Sequence, residues 1–345
     1  MSIHPLLARA RRDGNPVLEN DRAVFVWEGK APVLLLDDFH GWEEHPVPLE
    51  RAAPNLWTIS LDLKPDTYLE YAFLDPASGQ RLPDPLNPRT IWNEFDAYNH
   101  YFYMPRGRPT ELAVPVKGMG RGAVTRHRVP TQDQAAGSKR TVHLYRPPAD
   151  GPVPLLVVYD GTDYLRRGRL NFIADTLIAS RRVSPFAMAL VQNGGAARNL
   201  EYSCSDATLA FLQEGVLPLA RKELDLLPPG GGRYGILGAS LGGLMALYTG
   251  MRMPGIFGRV LSQSGAFFLP DFEFVVADLV RHAPGTGIHV WMDAGRYEWL
   301  LDGNRKMARL LRKRGYALTY REFSGGHNYT CWRNDIPHGL EALFA

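Results

Sequence analysis

Arg233-Tyr234-Gly235-Ile236-Leu237-Gly238-Ala239-Ser240-Leu241-Gly242-Gly243-Leu244-Met245-Ala246-Leu247-Tyr248 is the stretch on which the reading of this chain turns. An apolar strand, Tyr234 to Leu237, runs into Gly-X-Ser-X-Gly and leaves it as a segment of small and apolar residues suited to a helix. That is the strand, sharp turn and helix context of a nucleophile elbow. Gly238 and Gly242 give room where strand and helix nearly touch, so Ser240 is expected to project its hydroxyl from the tip of a strained turn. In a chain with 34 glycines the bare motif arises by chance, and the flanks carry the weight.

Composition bounds what surrounds this turn. The 345 residues allow one large domain or two smaller ones, and 45% hydrophobic content supplies a core. No run approaches the roughly 18 apolar residues of a membrane span. The start, Met1-Ser2-Ile3-His4-Pro5, lacks the basic and apolar regions of a signal peptide, so a cytoplasmic protein with no membrane partner is expected. Cys204 and Cys331 lack metal-like spacing, which argues against a zinc site or a disulfide framework. The net charge of +3 is mild. Arginines cluster at Arg106, Arg108, Arg121, Arg126 and Arg128 and at Arg166, Arg167 and Arg169, but in predicted loops or strands without interleaved stacking aromatics. Nucleic acid is therefore not expected as a partner; a solvated basic surface, or an anionic small substrate, accounts for the charge.

The first hundred or so residues read as strands: Arg22 to Trp27, Pro32 to Asp37, Asn55 to Leu61, Tyr68 to Leu74 and Tyr101 to Met104. They predict a small β-sandwich with two long loops, Asp38 to Glu50 and Pro83 to Asn99, rich in Trp, His, Pro and acids. The polar, Gly/Pro-rich segment Pro105 to Gly122 marks a boundary, giving domains at 1–115 and 116–345. Beyond it an antiparallel pair, Ala123 to Val129 and Arg140 to Tyr145, precedes an alternation of apolar strands and helical segments. These are strand Leu155 to Tyr159, helix Leu170 to Ser180, strand Phe186 to Val191, amphipathic helix Ser205 to Leu224 and the elbow. Strand Val260 to Gln263, a helix near Asp271 to Arg281, strand His289 to Asp293, helix Leu301 to Lys313, strand Leu318 to Phe323 and a last helix within Ile336 to Phe344 complete it. Such alternation predicts a mostly parallel sheet with helices on both faces and its site at the C-terminal strand ends.

An α/β-hydrolase triad runs serine, acid, histidine along the chain. Of 10 histidines, His327 in Ser324-Gly325-Gly326-His327-Asn328 stands just beyond the last strand, where a loop can carry it back to the elbow; His282, at a helix end, is the remaining candidate. The acid is expected after strand His289 to Asp293, in Asp293-Ala294-Gly295-Arg296-Tyr297-Glu298-Trp299-Leu300-Leu301-Asp302. Glu298 falls in the loop and is the first choice, with Asp302 as the alternative. The oxyanion hole should use the backbone N–H of Leu241 and one from Gly161 or Thr162, in the loop after the first buried parallel strand.

In combination these residues resemble the enterochelin (enterobactin) esterase family, α/β-hydrolases that cleave the triester backbone of catecholate siderophores. The resemblance is carried by Asp84-Pro85-Leu86-Asn87-Pro88, Tyr159-Asp160-Gly161, Arg198 through Glu201, Gly238 through Gly243, Ser262-Gln263-Ser264-Gly265, Ala294-Gly295-Arg296-Tyr297-Glu298 and Gly325-Gly326-His327 followed by Cys331-Trp332-Arg333. It implies that Ser240 attacks the ester carbonyl, His327 takes its proton and Glu298 is the acid. It also implies substrate contacts from Arg198, Glu201, Trp332 and Arg333, with a small-molecule ester, a ferric siderophore among the candidates, as the partner. No metal or organic cofactor is needed for that chemistry, since iron would arrive with the substrate. The segment from Arg89 to Phe102 is more aromatic than expected for that family, and feruloyl esterases resemble this chain in module and elbow. The alternatives are therefore a feruloyl-type or other ester hydrolase or acyltransferase and, from another class, a non-catalytic carbohydrate-binding protein on a hydrolase scaffold.

Overall fold

The computed structural model describes residues 3–92, 98–270, 272–283 and 285–345. It divides into two compact units. The smaller comprises Met1–Pro109 with two excursions from later in the chain, Gly295–Trp299 and Ser324–His327; the larger comprises Thr110–Ala294, Leu300–Phe323 and Asn328–Ala345.

The larger unit is built on an eight-stranded sheet. Its strands lie in the order Ala123–Pro130, Lys139–Arg146, Ala187–Val191, Leu155–Val158, Tyr234–Ala239, Phe257–Gln263, His289–Gly295 and Ala317–Phe323. The first two pair antiparallel, as their sequence predicts, and the second pairs antiparallel with Ala187–Val191. From there through His289–Gly295 every pairing is parallel. Leu155–Val158, Ala187–Val191 and Tyr234–Ala239 are buried at every residue, which is why they read as continuous apolar runs rather than alternating ones. Parallel strands place their C-terminal ends on one edge, and Ser240 follows directly on such an end. This is the α/β-hydrolase-type architecture that the alternation predicts.

Three helices depart from the expectation. The segment read as one helix from Ser205 to Leu224 is Asp206–Phe211, a π-helical turn at Leu212–Val216 and Leu217–Glu223. Pro218 enters the last piece at its first turn, where its missing N–H interrupts the ladder. The last helix starts not at Ile336 but at Tyr329, capped by the Asn328 side chain, which accepts the Cys331 N–H at 3.0 Å. Pro337 lies inside it and mimics a helix start in the sequence. The helix expected near Asp271 to Arg281 is Val275–His282, and Asp271 lies outside the described residues.

The smaller unit holds two antiparallel sheets. One has the order Val17–Glu19, Arg22–Glu28, Leu56–Asp62, Glu50–Ala53. The other has the order Val47–Pro48, Leu34–Asp37, Tyr68–Leu74, Tyr98–Tyr103, Thr90–Trp92, with Arg81–Leu82 also paired to Tyr68–Leu74. Phe25 and Leu61 from the first meet Leu35, Leu69, Tyr71, Phe73 and Phe102 from the second in one apolar cluster. Phe25 and Tyr71 pack edge to face with centroids 4.9 Å apart. A helix absent from the sequence reading, Pro5–Asp13, buries Leu7 and Ala10 beside Val17, Val24 and Val26. Asp-Pro-Leu-Asn-Pro is internal to this unit: Asp84 accepts the Tyr71 hydroxyl at 2.6 Å, and Asn87 donates to that hydroxyl at 3.0 Å. The long segment Asp38 to Glu50 carries a 3-10 turn, Trp42–Glu44, and a short strand; within Pro83 to Asn99, residues 93–97 lie outside the described residues. Among the described residues no helix is long and apolar enough to cross a membrane.

Candidate active site

Ser240 takes φ 57° and ψ −124°, a backbone conformation that a residue with a Cβ adopts only under constraint. The constraint is visible on both sides. The fully buried strand Tyr234–Ala239 enters the turn and the helix Leu241–Arg252 leaves it. Its N–H donates to the Gln263 carbonyl at 2.9 Å, and its carbonyl accepts the N–H groups of Leu244 at 3.0 Å and Ala266 at 3.1 Å. A Cβ added at Gly238 would stand 2.2 Å from the Gly242 carbonyl oxygen, so the two arms of the turn touch there and only glycine fits. These bonds hold the half-buried Ser240 at the tip, where the sequence puts a nucleophile.

Beneath the elbow lies a polar hub that sequence reading did not identify. Gln263, fully buried, accepts the Tyr164 hydroxyl at 3.0 Å and donates to Asp293 Oδ2 at 2.8 Å and to the Trp332 carbonyl at 3.2 Å. Asp293 also accepts the Ser264 N–H at 3.2 Å, which gives this carboxylate of the acid-bearing stretch a structural role. In the sequence, Ser262-Gln263-Ser264-Gly265 points to it only through the family resemblance.

Gly161 and Thr162 open the short helix Gly161–Arg166, whose Asp163 and Tyr164 amides donate to the Asp160 carbonyl. The first N–H groups of a helix have no intrahelical acceptor, and Leu241 stands in the same position in the elbow helix. One side chain ties the two turns together. Arg198 donates from Nε and Nη2 to the two oxygens of Asp160 at 2.8 and 2.7 Å, and from Nη2 to the Ala239 carbonyl at 3.5 Å. Asn193 and Tyr202 complete the anchorage: Asn193 Nδ2 donates to Asp160 at 2.7 Å, and the Tyr202 hydroxyl accepts the Asp160 N–H at 3.1 Å. Burial pulls the Arg198 pKa down, but the hydrogen bond and charge of Asp160 outweigh it and raise it.

The substrate contacts implied by resemblance meet different surroundings. Arg198 is half-buried and held in the bidentate pair just described. Glu201 is buried, with both oxygens on Arg140 at 2.8 and 2.6 Å and one also accepting the Ala136 N–H, so its carboxylate is engaged by the protein itself. Trp332 is 2% exposed and donates from its indole to Ser264 Oγ at 2.9 Å, an interior role. Arg333 is half-buried, and its Nη1 lies 3.4 Å from the Arg167 carbonyl.

The smaller unit contains the imidazole. His327 Nδ1 lies 3.2 Å from Glu298 Oε2, and the Glu298 side chain is wholly buried. The Trp299 ring lies against His327 with centroids 4.6 Å apart. Asp302, the alternative acid, is 92% exposed in the first turn of Leu301–Lys313, 3.4 Å from Arg305. Both short excursions are fastened to the N-terminal module. The Tyr297 hydroxyl accepts the Lys64 N–H at 2.9 Å, and the Tyr297 N–H donates to the Gly325 carbonyl at 3.1 Å. Tyr68 donates its N–H to the Ser324 carbonyl at 3.1 Å and bridges Gly325. A Cβ at Gly326 would stand 2.1 Å from the Asp38 carboxyl carbon, so this loop lies flush on the buried acid. Among the described residues no group of His, Cys, Asp and Glu has the arrangement of a metal site.

Comparison with known proteins adds a family to this geometry. The Esterase family model matches residues 134–343. The chain is similar to the iron(III) enterobactin esterase of Dickeya dadantii (strain 3937), with 27% identity over 282 residues, 76% of this chain and 65% of that protein. The match to the iron(III) enterobactin esterase of Escherichia coli (strain K12), also 27% identical, spans 55% of this chain and 50% of that one. Matches to these curated relatives thus span between half and two thirds of their length. Among solved structures, ferric enterobactin esterase from Salmonella typhimurium superposes with a TM-score of 0.77 at 21% identity, covering 93% of both chains. At that identity the likeness speaks for the fold.

Proposed function

The chain belongs to the Esterase family, and from that premise we propose that it is a serine carboxylic-ester hydrolase acting on a catecholate siderophore through Ser240, His327 and Glu298. The observation that carries the reading is the strained conformation of Ser240 at the elbow. The Glu298–His327 pair at 3.2 Å supplies the second support. The chain order of serine, acid and histidine supplies the third.

Ser240 Oγ attacks the ester carbonyl carbon while His327 accepts the hydroxyl proton on the ring nitrogen not facing Glu298. The carboxylate fixes the tautomer and stabilises the imidazolium without taking the proton itself. The tetrahedral oxyanion is bound by the N–H of Leu241 and one from Gly161 or Thr162, and Arg198 through Asp160 keeps those two turns in register. Collapse expels the alcohol, protonated by His327, and leaves an acyl-enzyme. A water deprotonated by His327 then attacks the acyl carbon and releases the acid and Ser240.

Siderophore specificity is supported by the named activity of the relatives, iron(III) enterobactin esterases. Iron, on this reading, is part of the substrate. A feruloyl-type activity is the second reading, supported by similarity to a ferulic acid esterase at a TM-score of 0.54 over 65% of this chain. Mass spectrometry of products after incubation with ferric enterobactin, salmochelin, bacillibactin and a feruloylated sugar tests the choice. Release of dihydroxybenzoylserine units, lost in Ser240→Ala, is the expected result; release of ferulate alone selects the second reading. Absence of both, with no fluorophosphonate labelling of Ser240, overturns the hydrolase.

A further inference from the structure

A cavity of about 730 Å³ opens in the larger unit at the other end of the elbow strand, and neither the fold nor the hydrolase chemistry calls for it. It is lined by Gly230 to Arg233, Arg259, Thr286 and His289 among others, at the N-terminal ends of Tyr234–Ala239, Phe257–Gln263 and His289–Gly295. Ser240 stands at the opposite end of the first of these strands, roughly 20 Å away at about 3.3 Å per residue.

Its charge is one-sided. Arg259 pairs in register with His289 on the neighbouring parallel strand, so the two side chains rise from the same face of the sheet. Gly235, the partner of Arg259 on the other side, brings Arg233 close by. Among the described residues neither arginine has an acidic partner: Arg233 donates to the Pro228 carbonyl at 2.9 Å, and Arg259 lies over the Phe344 ring at 4.9 Å. Burial, then the charge of Arg233, lowers the Arg259 pKa. Burial, then the charge of Arg259, lowers that of His289. Like groups facing each other across strands are unfavourable, and sheets ordinarily avoid them. Here the arrangement is built in by a register shift between Tyr234 and Gly235, which leaves Gly258 as an extra residue and re-aims Arg259.

We propose that this cavity is a second binding site, for a small multivalent oxyanion held between Arg259 and Arg233 with His289 at its side. A guanidinium that stacks on an aromatic ring and lacks a carboxylate keeps its fork of donors open to phosphate or carboxylate oxygens. The anion would relieve the repulsion that the bare sheet edge carries. Phosphoryl and polycarboxylate ligands share this chemistry, and the test separates them.

Isothermal titration calorimetry of the full chain with sodium pyrophosphate, and in a second arm with sodium citrate, measures binding directly and independently of hydrolysis. Saturable binding of either is expected, the tighter of the two identifying the class. Arg233→Gln, at an exposed position, and Arg259→Gln should each weaken it about tenfold or more, as for loss of one charge-assisted contact. Both variants should hydrolyse p-nitrophenyl butyrate at the wild-type rate, which also reports their folding. No saturable heat with either anion up to about 10 mM overturns the site. So does binding that is unchanged in folded Arg233→Gln and Arg259→Gln.

Discussion

The hydroxyl of Tyr297 accepts the backbone N–H of Lys64 at 2.9 Å, joining the residue before the buried Glu298 to the N-terminal module across more than 230 positions of sequence. The tyrosine ring is buried in the module's apolar cluster and lies 5.4 Å from Phe39. This contact is local to the smaller unit, and it fixes the loop that presents the carboxylate to His327.

Tyr297→Phe keeps the ring and removes the acceptor, leaving the Lys64 N–H to find water. Loss of one such bond costs about 1 to 3 kcal/mol. With the loop less firmly held, kcat on p-nitrophenyl butyrate should fall about tenfold while KM stays within about twofold. A rise in KM with kcat unchanged would show that Tyr297 serves binding rather than the orientation of Glu298.

Glu298 and Asp302 separate by burial. Glu298→Gln should cut kcat by about a thousandfold, because an amide holds the imidazole without stabilising its charge. Asp302→Asn, at a side chain 92% exposed, should stay within about twofold. The reverse ranking in steady-state kinetics would move the acid to Asp302.

Strain at the elbow has its own signature. Ser240→Ala and Ser240→Gly should both lose at least about a thousandfold in kcat. They should differ in stability, since alanine keeps the Cβ that φ 57° disfavours and glycine does not. Urea denaturation is expected to find Ser240→Gly more stable than Ser240→Ala by about 1 kcal/mol. Equal midpoints would mean that the turn carries no strain.

Asp38 gives a pH dependence of defined sign. Burial, then the neighbouring Glu70 charge, holds its carboxyl well above the usual carboxylate range. The folded chain therefore retains a proton that the unfolded chain releases from about pH 4 upward. Stability attributable to this group is highest below that pH and declines as pH rises until the folded carboxyl itself ionises. Asp38→Asn removes the term, so its urea midpoint relative to wild type should improve between pH 5 and pH 7, taken as working values about the carboxylate range. Parallel curves for the two proteins would exclude a protonated Asp38.

The elbow and the parallel sheet were readable because their causes are local. Gly238, Ser240 and Gly242 sit within five positions, and a strand buried on both faces, such as Leu155–Val158, shows it in four consecutive apolar residues. Glu201 and Trp332 read as site residues from motif alone, because their partners Arg140 and Ser264 lie 61 and 68 positions away. The start of the last helix was hidden for a different reason: Asn328 caps it, while Pro337 further on imitates a beginning. The residues that steady the site, Asp160 with Arg198 and Tyr297 with Lys64, meet only after folding, and no spacing announces them.

The two excursions into the smaller unit bear on how such a chain can be cut and recombined. Besides the junction at Pro109–Thr110, the backbone passes between the units on either side of Gly295–Trp299 and of Ser324–His327. Proteolysis at that junction alone would sever residues 1–109 covalently yet leave them bound through hydrogen bonds, Lys64 to Tyr297 and Tyr68 to Ser324, to two segments that stay part of the other fragment. The N-terminal module is likewise no interchangeable cassette. A donor segment ending at Pro109 carries Lys64, Tyr68 and Asp38, but the recipient must already hold a tyrosine and a glycine loop cut to fit them. Exchange between relatives would succeed only where three separate stretches of sequence travel together.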